Sequence, residues 1–142
     1  MRNPWFLGLL GAFCWGVAPI FGKLGLRGID PIDGLIARTL VTMSVILVWA
    51  FGAGRLGAVA AISPKAWLYL ALEALLATLV GDLFYFLALK HGTAGVAAIA
   101  LSVSPVVTVG LASLFLHEGY TILQTLGALL VASGILLVAM GG

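Results

Sequence analysis

Residues 121–140 read TILQTLGALLVASGILLVAM, twenty consecutive positions without an Asp, Glu, Lys or Arg. At about 1.5 Å per residue such a run makes a helix about 30 Å long, the thickness of a bilayer's hydrocarbon core. Hydrocarbon offers no partner to a backbone N–H or C=O, so a lone segment crosses it only as a helix that satisfies its own backbone. Working back towards the N-terminus, four comparable apolar runs occupy residues 94–116, 66–89, 31–51 and 4–25. The expected fold class is therefore all-α: an integral membrane bundle of five transmembrane helices, forming a single domain over residues 1–142.

Composition excludes most alternatives. Charged residues make up 8% of the chain and hydrophobic ones 63%, against about 25% charged in soluble domains. The mean hydropathy is +1.22. The net charge of +2 comes from seven Lys and Arg scattered along the whole length, so the basic cluster that nucleic acid requires is missing. Cys14 is the single cysteine, cannot form an internal disulfide, and is expected to be a small buried hydrophobe. Arg2 ahead of an apolar stretch resembles a secretory signal, but the stretch from Trp5 to Leu26 is longer than a signal's apolar core and four more runs follow. It is expected to be a retained helix.

Caps and breakers mark the boundaries. Asp30 before Pro31, and Ser63 before Pro64, read as N-caps followed by a first-turn proline. Lys90, His91 and Gly92 separate the third and fourth helices, and His117, Glu118 and Gly119 the last two, which makes both connections tight. The stretch 52–65 is the one long loop and is expected to lie on the membrane surface.

Five crossings place the termini on opposite faces, A at the N-terminus and B at the C-terminus. Arg2, Arg55 and Lys65 then fall on face A, and Lys23, Arg27 and Lys90 on face B. This balance fixes no orientation by the positive-inside rule, and either Arg38 or the translocation machinery decides it, or the chain inserts both ways. Trp5, Trp49, Trp67, Tyr69 and Tyr120 all project to face A, for which there is no physical account.

Three ionisable residues lie inside apolar runs, where each costs roughly 2.5–3.5 kcal/mol on insertion scales and is a functional candidate by default. Arg38 is seven residues beyond Pro31 and Asp82 eight before Lys90, so both lie about 11–12 Å from face B and can form a structural ion pair. A direct substrate contact is the competing reading. Glu73 lies about 12 Å from face A with no basic residue at its depth. It could carry a proton, hold a cationic substrate, or hydrogen-bond to a hydroxyl such as that of Thr108. The nine-residue gap from Glu73 to Asp82 turns through about 900°, which places the two carboxylates on opposite sides of the third helix, so one cavity is not expected to hold both.

Pro19 and Pro105 interrupt the first and fourth helices and could shape a cavity or simply kink the packing. Ala94, Ala98 and Ser102, and Ala128 with Ala132, let backbones approach closely. His91 and His117 fall on opposite faces and cannot share a metal, and no glycine-rich phosphate loop is present, so neither an enzyme nor a cofactor or metal site is expected.

The run from Trp15 to Lys23 (WGVAPIFGK) resembles the first helix of EamA domains in the drug/metabolite transporter superfamily. Arg38 resembles the arginine common in their second helix. Phe84–Lys90 (FYFLALK), Ser104–Glu118 (SPVVTVGLASLFLHE) and Gln124–Leu137 (QTLGALLVASGILL) are similar to the later parts of such a domain. Asp82 departs from the pattern, because an uncharged residue is expected after Gly81, and no family site is carried over there.

The resemblance implies a transporter and adds Trp15 to the candidates for substrate contact. Many members join two five-helix repeats in opposite orientation; this chain resembles the small members with one. The resemblance and the physics of inverted repeats together lead to the expectation of a secondary transporter and exporter in the cell (inner) membrane. Its substrate would be a small metabolite, amphipathic compound or organic cation. It would work by alternating access as an antiparallel homodimer, or as a heterodimer with a homologue. The alternative expectation is a non-transporting membrane subunit, or half of a lipid or metabolite translocator.

Overall fold

The computed structural model describes residues 3–141. Met1, Arg2 and Gly142, and with them the face A charge assigned to Arg2, lie outside the described residues. Within them the chain is all helical: α1 (Pro4–Gly25), α2 (Pro31–Gly52), the short α3 (Leu56–Ala60), α4 (Pro64–Ala74), a π-helical segment (Leu75–Gly81), α5 (Asp82–His91), α6 (Ala94–Leu101), α7 (Ser104–Phe115) and α8 (Ile122–Met140). Five stretches are long and apolar enough to cross a membrane: α1, α2, the continuous run Pro64–His91, Ala94–Phe115, and α8.

The helix starts follow from side-chain caps. Asp30 Oδ1 accepts from the Ile32 N–H at 2.8 Å, Ser63 Oγ from Ala66 at 3.3 Å and Thr93 Oγ1 from Val96 at 3.2 Å. Thr121 and Gln124 form a reciprocal capping box at the head of α8. Between the second and third spans the loop is not extended, since α3 makes one turn there after Gly54, whose φ of +63° suits glycine.

The helices group into two compact units. One comprises residues 20–91, and its core lies where α2 meets α5 and the loop after α1. Leu26, Leu35, Phe86 and Leu89 are buried there, Leu89 completely. Two glycines permit this packing. A Cβ on Gly22 would stand 3.0 Å from Leu89 Cδ1, and one on Gly34 would stand 2.5 Å from Leu26 Cδ2 and 3.4 Å from Phe86 Cε2.

Two lysines tie the same end together. Lys23, near the end of α1, donates through Nζ to the Leu89 carbonyl of α5. Lys90, at the end of α5, donates to the carbonyls of Leu26 at 3.2 Å and Ile29 at 2.8 Å, beyond the end of α1. Lys23 satisfies a carbonyl in the last turn of α5, which the helix terminus leaves open, and both cations stand in the last turn of their own helix, where the dipole favours positive charge.

The other unit, residues 1–19 with 92–142, contains α6 and α7 packed against α8. Its buried side chains in these helices are the small ones of Ala97 and Ala112, as expected where dispersion and close backbone approach drive association. The fourth span is broken in two. Pro105 has no N–H to donate to Leu101, and the chain crosses the gap by tighter bonds, Ser102 N–H to Ile99 at 3.0 Å and Val103 N–H to Ala100 at 3.3 Å. Pro19 lies buried inside α1 without ending it.

Most large apolar side chains are exposed on the single chain, as lipid-facing helices require. Cys14 is among the exposed residues, which corrects the expectation that it is buried: α1 carries it on an uncovered face.

Candidate functional site

Arg38 on α2 and Asp82 at the start of α5 are in contact. Arg38 Nη2 donates to Asp82 Oδ2 at 2.6 Å, the length of a strong charge-assisted bond. The two partners differ in cover. The Asp82 side chain is 8% exposed and that of Arg38 41%, so the open side of the pair is the guanidinium. The Arg38 guanidinium carbon also lies 5.6 Å from the centroid of the Phe86 ring, within cation–π range. Tyr85 completes the wall, its ring 5.8 Å from that of Phe86.

The positions of these residues follow from helical spacing. Phe86 is four residues beyond Asp82 and shares its face of α5, which packs on α2. Phe86 thus both fills the core beside Gly34 and offers its ring to Arg38. Tyr85 and Phe86 were not singled out from the sequence. The signal was present in their offsets of three and four from a charged residue inside a span.

Glu73 is exposed on α4 and has no hydrogen bond or ion pair among the described residues. Its relation to Asp82 differs from the α-helical expectation, because the seven residues Leu75–Gly81 between them are π-helical. The Asp82 N–H reaches back to the Ala77 carbonyl, five residues away. A π turn holds one extra residue, so beyond it the faces shift by about one residue, or about 100°. Nine residues then rotate like eight, and the two carboxylates stand about 80° apart instead of 180°. Gly81 is suited to the end of this segment, since a Cβ there would lie 3.1 Å from the Leu76 carbonyl oxygen.

The remaining candidates belong to the other unit. Trp15 is exposed on α1, four residues before Pro19, which leaves the Trp15 carbonyl without its usual donor. Pro105 stands in the first turn of α7. Thr108 donates to the Ser104 carbonyl at 3.0 Å. A shallow depression of about 290 Å³ is lined by Thr108, Leu111, Ala112, Phe115 and Leu116 on the same helix and just past its end. Among the described residues no cluster of His, Cys, Asp and Glu could hold a metal ion.

Comparison with known proteins places the chain in a family. Residues 4–140 match the EamA-like transporter family. An uncharacterized transporter of Sinorhizobium sp. is 33% identical over 141 residues, covering 99% of each chain. An uncharacterized protein of Methanocaldococcus jannaschii is 29% identical over 140 residues, covering 99% of this chain and 98% of that one. The uncharacterized transporter YoaV of Bacillus subtilis is 32% identical over 132 residues, 89% of this chain and 43% of that protein. No solved structure matches the chain. With five membrane-crossing helices and a family match over nearly its whole length, the chain belongs to the EamA-like transporter family and is a multi-pass membrane protein.

Proposed function

We propose that this protein is a secondary transporter that exports a small metabolite, amphipathic compound or organic cation across the cell (inner) membrane. It works by alternating access as a dimer of two oppositely inserted copies, or of one copy with an oppositely inserted homologue. The observation that carries the reading is Glu73, a carboxylate one-third of the way along the third span with no partner among the described residues. An ionisable group kept at such cost is the usual mark of a substrate or proton path, and an acid selects a cation or a proton.

The dimer is supported by the form of the chain. Carriers that rock about a midplane site use two halves of opposite topology, and five spans supply one such half. The Bacillus relative, matched over 43% of its length, has room for a second half. The charge balance between the two faces permits either direction of insertion.

The test is transport by the purified protein in liposomes, with a thermal-stability screen against metabolites and organic cations. The reading expects one class of ligand to raise the unfolding temperature, and a pH gradient to drive its uptake in the parent but not in Glu73→Gln. Purified protein that moves nothing and co-purifies with a stoichiometric second membrane protein would instead mark a non-transporting subunit.

A further inference from the structure

The third span runs from Pro64 to His91, and Glu73 and Asp82 are placed symmetrically within it. Glu73 lies nine residues from the first end and Asp82 nine residues from the last. A two-fold axis in the membrane plane, passing through the middle of this span, therefore carries Glu73 of one copy to the depth of Asp82 in the other. Within one chain the two are about 13 Å apart along the helix. In a parallel pair that separation persists, and Glu73 meets only another Glu73 at its own level.

We propose that the Glu73 carboxylate of one copy completes the Arg38–Asp82 site of an oppositely inserted second copy. The inference rests on the inverted-dimer reading above. A guanidinium has five N–H donors, and only Nη2 of Arg38 is engaged among the described residues, by Asp82. Asp82 is covered while Arg38 is 41% exposed, so a further acceptor can approach from the Arg38 side. Donors left open in hydrocarbon must find such an acceptor. Glu73 supplies such an acceptor: it is exposed and has no partner among the described residues.

The π segment makes the arrangement possible. With carboxylates on opposite sides of the third span, no single interface could cover both Glu73 and the Arg38–Asp82 pair. Brought to about 80° apart, they occupy neighbouring faces that one partner can span. By symmetry the contact forms twice, and polar contacts of this kind are what hold helices together where lipid removes the hydrophobic drive.

The test is cross-linking in a Cys14→Ser background. Glu73→Cys is placed in one tagged copy and Arg38→Cys in a second copy with a different tag, and a short bifunctional thiol reagent is added to membranes. The expected result is a product carrying both tags from co-expressed copies and none from Glu73→Cys alone. A product from Glu73→Cys alone would overturn the proposal. No product from the mixture, with the unmutated protein dimeric by native mass spectrometry in lipid, would overturn the contact and leave the dimer standing. A monomer in that measurement would overturn both.

Arg38→Cys leaves Asp82 without its counter-ion, so Glu73→Leu serves as a second variant, which retains the pair and removes the acceptor. Loss of two contacts should raise the dimer dissociation constant about ten- to three-hundredfold. A constant within twofold of the parent would refute the contact.

Discussion

Replacing Asp82 by Asn removes the counter-ion of an arginine inside a membrane span, and the structure sets bounds on the cost. The lower bound is an ordinary polar contact between membrane helices, about 0.6 kcal/mol on average. The upper bound is the 3–5 kcal/mol typical of leaving one member of a buried pair unpaired. Arg38 falls between these limits. Its side chain is 41% exposed, and it lies seven residues, about 11 Å, from the nearer end of α2, close enough to snorkel part of the way out. We expect a loss of about 1–3 kcal/mol, a 5- to 150-fold fall in the folded-to-unfolded ratio. The assay is reversible unfolding in bicelles, run as a double-mutant cycle with Arg38→Gln. The double variant should recover most of the loss, because neither charge is then stranded. A single variant within about 0.3 kcal/mol of the parent, or a cycle without coupling, would refute the ion pair as a structural element. Normal stability with transport abolished would assign Asp82 to the substrate.

Other consequences are open to measurement. Gly34→Val should cost about 1–3 kcal/mol in the same assay, since its Cβ meets Leu26 at 2.5 Å, whereas Gly16→Ala, with nothing within 4 Å, should stay within about 0.5 kcal/mol. Lys90→Met removes the Nζ bonds to the Leu26 and Ile29 carbonyls and should lower stability by about 1–2 kcal/mol, seen as faster hydrogen exchange in the Leu26–Asp30 turn. In the loop between α7 and α8, the Tyr120 hydroxyl donates to Glu118 Oε2 at 2.8 Å, and that bond, followed by desolvation and the Glu118 charge, holds the phenol above its ordinary value near 10. The neutral phenol is the favoured form, so the contribution is fully present below about pH 10 and is lost as pH rises through the elevated midpoint. Tyrosinate absorbance in Glu118→Gln should show that midpoint moved down; an unmoved midpoint would exclude the contact.

The five spans were legible because their cause is local: charge is absent over about 20 residues, and Asp30, Ser63 and the two prolines behind them punctuate the chain. The break in the fourth span was legible for the same reason, since Pro105 carries its own signal. Counting residues from Pro31 and Lys90 put Arg38 and Asp82 at one depth, and the structure sets them in contact. The π segment left no such trace. Leu75–Gly81 reads LLATLVG, apolar on every side, so a shift in register changes no pattern of polar and apolar faces that a sequence could reveal. The mutual angle of Glu73 and Asp82 depends on that register, so the opposite-side placement expected for an α-helix does not hold across the π segment. Cys14 was misplaced for a related reason: in hydrocarbon an apolar residue gains nothing by facing inward, so hydrophobicity does not distinguish covered from uncovered faces.

The proposed inverted dimer requires one five-span chain to supply one of two opposed halves. Its most direct test is side-specific labelling of a cysteine placed at Met140, near the C-terminal end of α8, in a Cys14→Ser background. With a membrane-impermeant reagent applied to intact cells, and then to inverted vesicles, a homodimer of inverted copies requires substantial labelling from each side. Complete labelling from one side and none from the other, in cells where this chain alone sustains transport, would contradict it.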